Sequence, residues 1–145
     1  MKLFQIEEPD GSPLDVEGAG AAVGIDIVPG GVGRVAIAVG GNGEILPDAD
    51  GERTLRARDL PDLLLGLRSR AEKQLARPVT HAVIAADAGD RTGLEAAAAR
   101  AGLEILRLVD RATAAALVRD AAPEEAAVLG AAVAAEEVMP ASPAT

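Results

Sequence analysis

The sequence predicts an α/β domain, a mixed five-stranded sheet with helices on its faces. Three observations predict it. Residues 21–46 place β-branched and small apolar runs between tight glycine turns. Residues 59–76 change to apolar positions recurring at three- and four-residue steps, the helical period. From residue 79 onward, short apolar runs alternate with alanine-rich stretches. A chain of 145 residues, 49% of them hydrophobic, suits one domain with its own core. That core is aliphatic, because Phe4 is the only aromatic residue.

The elements follow in order. Residues 1–20 read as an N-terminal extension, partly flexible, in which "KLFQIEE" offers an edge strand and Phe4 and Ile6 offer packing. "AAVGIDIV" is a first strand and "PGGVG" a turn, where proline fixes φ and glycine accepts positive φ. "RVAIAVG" is a second strand, "GNG" a turn, and "EILPD" the start of a third strand. In "DLPDLLLGLRSRAEKQLA", Leu60, Leu63, Leu64, Leu67, Ala71 and Leu75 form one helical stripe. Asp59 suits its N-cap, Pro61 its first turn and Asp62 the positive end of its dipole, and Arg77-Pro78 closes it.

"VTHAVIAAD" then reads as a buried strand. Asp90 can cap a helix over "RTGLEAAAARA", ending at Gly102. "LEILRLV" is a last strand, and Asp110 can cap "RATAAALVRD". Pro123 opens a final helix, "PEEAAVLGAAVAAEEV", and residues 140–145 read as a frayed tail. The body is thus residues 21–139, in the order β-β-β-α-β-α-β-α-α. A meander feeding alternating helices and strands is the ribonuclease-H-like arrangement, shared by actin and related ATPases.

Composition excludes several functions. The net charge is −9 and the pI about 4.6, so the surface repels phosphate backbones, and stacking aromatics are missing. Nucleic acid is not the expected partner. With no cysteine and His81 as the single histidine, thiolate chemistry and multi-histidine metal sites are out of reach. No run reaches the roughly 18–20 apolar residues of a membrane span. The start, "MKLFQIEEPDGSP", lacks the basic and apolar regions of a secretory leader. A cytoplasmic location is expected.

Several segments together resemble one family. "VGIDIVPGGVGRVAIAVGG" looks like a first hairpin of the form GIDLGTTNS followed by a V-A-V strand. "GEILPDADGERT" is similar to IPNADGERTTPS, and "AEKQLARPVTHAVIAAD" to a helix and strand ending in P-V-x-x-A-V-I-T-V-P-A. "AGLEILRLVDRATAAALV" resembles A-G-L-E-V-x-R-I-I-N-E-P-T-A-A-A-L, and "PEEAAVLGAAVAAEEV" resembles P-D-E-A-V-A-x-G-A-A. These are segments of the nucleotide-binding domain of heat-shock protein 70 (Hsp70) chaperones of the DnaK/HscA type, in the same order. The resemblance implies an actin-like ATPase fold, reduced to the base of the first lobe. Where the family has long stretches after "GERT" and after "TAAAL", this chain jumps directly across. The resemblance therefore implies that the second lobe is missing, with its phosphate loop, adenosine pocket and catalytic lysine region, and likewise the substrate-binding domain.

The same comparison implies a degenerate nucleotide site at Asp26, Pro29, Gly30, Gly31, Asp87 and Arg111. In the family a glycine and two hydroxyl residues follow the aspartate and face phosphate oxygens. Here "IVPGGVG" follows Asp26, and Pro29 has no backbone N–H to donate. The family's "VPAYF" segment is replaced by "AADAGD". The glutamate of N-E-P-T, placed near magnesium by the resemblance, falls at Arg111. A cation there repels a hydrated metal by about 3 kcal/mol per unit charge at roughly 5 Å and an effective dielectric of about 20. Arg111 is expected to pair internally with Asp87 or Asp26.

A rival reading takes Asp26, Asp87 and Asp110 as strand-end carboxylates able to hold two magnesium ions for phosphodiester cleavage. The plainer one makes Asp90 and Asp110 helix caps, Asp26 a turn-stabilising acid, "PGGVG" a simple turn and His81 an exposed bystander. The expected function is a non-enzymatic pseudoenzyme, a chaperone-like lobe without cofactor that binds another protein or a second copy of itself. Removing a lobe exposes faces that must then be covered, and Val128, Leu129, Val133 and Val138 of the last helix are the expected patch. The alternatives are an ATP/ADP-binding lobe, with magnesium, that needs a partner lobe, and a metal-dependent ribonuclease-H-like nuclease.

Overall fold

The computed structural model describes residues 20–139. The expectations for residues 1–19, Phe4 and Ile6 among them, and for the tail at 140–145 lie outside the described residues. β1 (Ala21–Val28) runs through the centre of the sheet, its aliphatic side chains buried on both faces. β2 (Val32–Val39) returns antiparallel to it across Pro29-Gly30-Gly31, as the proline–glycine turn predicts. β3 (Asn42–Ile45) turns back along β2 around Gly40-Gly41. The third strand thus starts two positions before "EILPD" and ends at Ile45.

The sheet has six strands, not five. The extra one, β4 (Leu55–Arg56), pairs with β2 at Gly33 and Val32. Two residues are too few to show alternation in sequence. The pairing is carried by backbone groups, and Ala57 N–H continues it to the Gly31 carbonyl at 3.0 Å. The strand order is β3-β2-β1, followed by β5 (Val79–Ala86) and β6 (Glu104–Val109), both parallel to their inner neighbours.

α1 (Leu60–Leu75) follows its predicted caps. The Asp59 carboxylate accepts from Asp62 N–H at 3.0 Å, Pro61 sits in the first turn, and Ala76 ends the helix in a left-handed conformation. Leu63, Leu64, Leu67 and Ala71 are buried against Val23, Ile25, Ile27 and Ile84. α2 (Leu94–Arg100) packs on the same face through Leu94, Ala97 and Ala98. Asp90 does not cap it. Asp90 closes a 3-10 turn at Ala88–Asp90, and Gly93, at φ 77°, is the N-cap. Gly93 enters the helix in a conformation open to glycine, so the helix starts later than the asparate predicts.

α3 (Arg111–Ala115) is five residues long and stops well short of Asp120. Asp110 stands at its N-cap, but its carboxylate makes no cap hydrogen bond and holds Arg91 instead. α4 (Pro123–Val138) lies across the opposite sheet face, over Ala36, Ala38, Val83 and Ala85. The order is therefore β-β-β-β-α-β-α-β-α-α, with the 3-10 turn before α2.

α4 removes Val128 from the expected contact patch. Val128 is fully buried against the sheet, and Leu129, Val133 and Val138 are half-buried at the margins of the same contact. The alanines allow the helix to come close. A Cβ on Gly24 would run into the backbone of Ala131 and Ala132, and one on Gly130 into the Ala114 carbonyl. Val128 is thus spent on the chain's own sheet, while Leu129, Val133 and Val138 keep part of their surface open. No helix among the described residues is long and apolar enough to cross a membrane.

Candidate functional site

The carboxyl ends of the parallel strands β1, β5 and β6 bring the predicted site residues to one rim. Asp26 lies on β1, Asp87 follows β5, and Asp110-Arg111 follow β6. Alternation along β1 sends Ile25 and Ile27 toward α1, so Asp26 faces the side covered by α3 and α4. Its side chain is wholly buried, the one buried polar or charged residue among those described. It is no turn-stabilising acid, because it belongs to the interior of the sheet.

A buried carboxylate needs compensation. Arg111 Nε donates to Asp26 Oδ1 at 2.7 Å, and Arg111 Nη2 to Oδ2 at 3.0 Å. This fork-on-fork contact occupies both carboxylate oxygens. The Asp26 carboxylate bonded to it holds the Arg111 guanidinium above its ordinary range, with Asp87 and Asp90 adding to the effect against partial burial. Of the two expected partners, Asp26 is thus the bonded one and Asp87, exposed, acts at longer range.

Sequence reasoning missed two arginines. Arg34 stands opposite Asp26 in the β1–β2 register, its Nη1 3.8 Å from Oδ2. Pairing Val28 with Val32 around the turn places these two side by side, so the hairpin register held that signal. Arg91 donates to the Ala86 carbonyl at 3.2 Å and to the Asp110 carboxylate, tying the end of β5 to the end of β6. Nothing local in the sequence marks that contact.

The glycine turn has its own use. Gly30 and Gly31 have φ values of 95° and 81°, and the Gly31 carbonyl accepts from Ala57. A cavity of about 240 Å³ opens beside this turn, between Ile27, Leu60, Leu63, Arg58, Asp90 and Thr92. It lies on the α1 face, across the sheet from Asp26. His81 is half-buried, its Nδ1 2.7 Å from the Thr80 hydroxyl and its Nε2 3.5 Å from Glu104. Asp26, Asp87 and Asp110 do not form a carboxylate trio. Among the described residues no group of three or more histidine, cysteine, aspartate or glutamate side chains is placed to hold a metal.

The family model for the Hsp70 protein matches residues 48–129, more than half of the chain. The chain belongs to the Hsp70 family. The matched stretch of this Hsp70-family chain runs from the Asp48 turn through β4, α1, β5, α2, β6 and α3 into α4. Arg111 therefore sits inside the Hsp70-matched region, while Asp26 and the first hairpin precede it. The mixed α/β architecture is compatible with a lobe of an actin-like ATPase.

Proposed function

We propose that this Hsp70-family chain is a non-enzymatic, chaperone-derived lobe that binds protein, another chain or a second copy of itself, and holds no nucleotide. The observation that carries the proposal is the Asp26–Arg111 pair. The strand order, antiparallel at one side and parallel at the other, supports reading the lobe as ribonuclease-H-like.

Magnesium with ATP or ADP does not fit this set of groups. Both oxygens of Asp26 are engaged by one guanidinium and a second lies 3.8 Å away, so the acid has no free face for a hydrated cation. Pro29 removes a backbone donor from the turn that would face phosphate oxygens. The same pairing weighs against a two-metal nuclease, since Asp110 is likewise held by an arginine. The chemistry left at the rim is internal ion pairing, which ties strands together.

Calorimetric titration of the chain with magnesium–ATP tests the proposal. No saturable heat is expected at millimolar nucleotide, and no phosphate release. A one-to-one isotherm would count against it and in favour of the ATP/ADP-binding alternative.

A further inference from the structure

The two edges of the sheet are not equivalent. At the β6 edge the pairing with β5 slips by one residue at Leu106, and Glu104 and Arg107 are exposed beside the irregularity. Bulges and charges of this kind discourage a further strand. At the other edge β3 continues in unbroken register with β2, from Val39↔Asn42 to Ala36↔Ile45. The Leu46 N–H donates to the Val35 carbonyl at 2.9 Å, which sets the alternation of the ladder. Asn42, Glu44 and Leu46 therefore bond toward β2, and the N–H and C=O groups of Gly43 and Ile45 point outward. Among the described residues β3 has no neighbour on that side.

The ground beside this edge is open and mixed, with Leu117 and Leu129 set among Asn42, Arg119 and Asp120. A cavity of about 370 Å³ lies between Gly41–Gly43, Leu129 and the Leu117–Ala121 segment. Leu117 is 52% exposed there. Leu129 lies against the α4 face of Gly43, and a Cβ on that glycine would stand 3.1 Å from Leu129 Cδ2. On the opposite sheet face Asn42 and Glu44 are exposed.

We infer that β3 is the contact strand of a symmetric pair, taking the β3 edge of a second copy of this chain. An antiparallel two-fold axis through Gly43 makes the edge self-complementary. Gly43 faces its own copy and exchanges two backbone hydrogen bonds with it, and both are outward-pointing positions. Asn42 then lies opposite Glu44 of the second copy, and Glu44 opposite its Asn42, so each amide meets a carboxylate. On the other face the two Leu129 side chains meet over a pair of glycines, with each Leu117 beside them. This complementarity favours a second copy over an unrelated extended peptide, which would need matching donors of its own. The inference specifies the partner in the protein-binding reading and rests on it. The strand is short, which places the contact in the weak, small-interface class.

Sedimentation velocity over a concentration series up to about 1 mM tests it, with exposed-position variants that leave the core untouched. The wild-type chain is expected to shift from monomer toward dimer as concentration rises. Asn42→Glu sets like charges opposite each other and should weaken the dimer at least tenfold. Asn42→Lys places an ammonium opposite Glu44 and should tighten it, and adding Glu44→Lys should reverse that gain. Leu117→Asp should also weaken the dimer. A monomer throughout the series overturns the inference, as does a dimer indifferent to Asn42→Glu. Either failure leaves the nucleotide titration unaffected, so the absence of a symmetric pair and the presence of a working nucleotide site remain separate results.

Discussion

Arg111 closes on Asp26 with both arms of its guanidinium, at 2.7 Å and 3.0 Å, joining the start of α3 to the middle of the sheet across 85 positions of sequence. The carboxylate is wholly buried, and Arg111 retains some exposure at the rim. The pair therefore anchors a short helix that has little stability of its own.

Arg111→Ala should destabilise the fold by about 3 kcal/mol, because it strands a buried charge that Arg34 compensates only from 3.8 Å. Replacing both partners, Asp26→Leu with Arg111→Leu, should cost far less than the single change. Urea denaturation of the two variants checks the contrast.

α4 approaches the sheet through positions without side chains. Gly24→Ala and Gly130→Ala each drive a methyl group into backbone atoms of a facing element. Each should cost roughly 1–3 kcal/mol or more, since backbone cannot yield as a side-chain tip does. Thermal unfolding with circular dichroism detects either loss.

Glu136 receives the N–H groups of Gly40 and Gly41 at 2.7 Å and 2.9 Å, fastening the β2–β3 turn to the end of α4. Glu136→Gln keeps the shape and removes the charge that strengthens both bonds. A loss of about 1 kcal/mol is expected. Faster amide exchange at Gly40 and Gly41 should accompany it.

Acid should loosen the segment between β3 and β4 before the core. The Glu52 N–H, with those of Asp50 and Gly51 and the Arg70 guanidinium, holds the Asp48 carboxyl below its ordinary value of 3.8. The Thr54 hydroxyl and amide likewise hold Glu52 below 4.5. Folded values lower than unfolded ones mean that this contribution is present above the ordinary carboxylate range and is lost as pH falls through the lowered values. Proton resonances of the Asp50 and Glu52 amides, both bonded to the Asp48 carboxylate, should move in that acid window, and Asp48→Asn should reduce the movement at both.

Much of the fold is legible in sequence because it rests on local signals. The first hairpin follows from a proline–glycine turn between β-branched runs. α1 follows from Asp59, Pro61 and a leucine stripe. What escaped depends on contacts between distant segments. β4 is two residues held by backbone bonds to β2, with no side-chain period to betray it. α3 ends early, and Asp110 turns from capping to Arg91, a residue on another element. The apolar face of α4 was visible, but whether it faced solvent or sheet was not, and the glycines that decide the matter lie in β1 and in α4 itself. At the rim, the family resemblance isolated Arg111 and narrowed its partner to two acids. Only the β1–β2 register adds Arg34.

The most direct measurement follows the Arg111 Nε–H resonance by nuclear magnetic resonance while magnesium–ADP is added to millimolar concentration. A slowly exchanging signal that stays in place is expected, the guanidinium remaining on Asp26. A saturable shift of that signal, or its loss as the pair opens around bound nucleotide, would contradict a site filled from within.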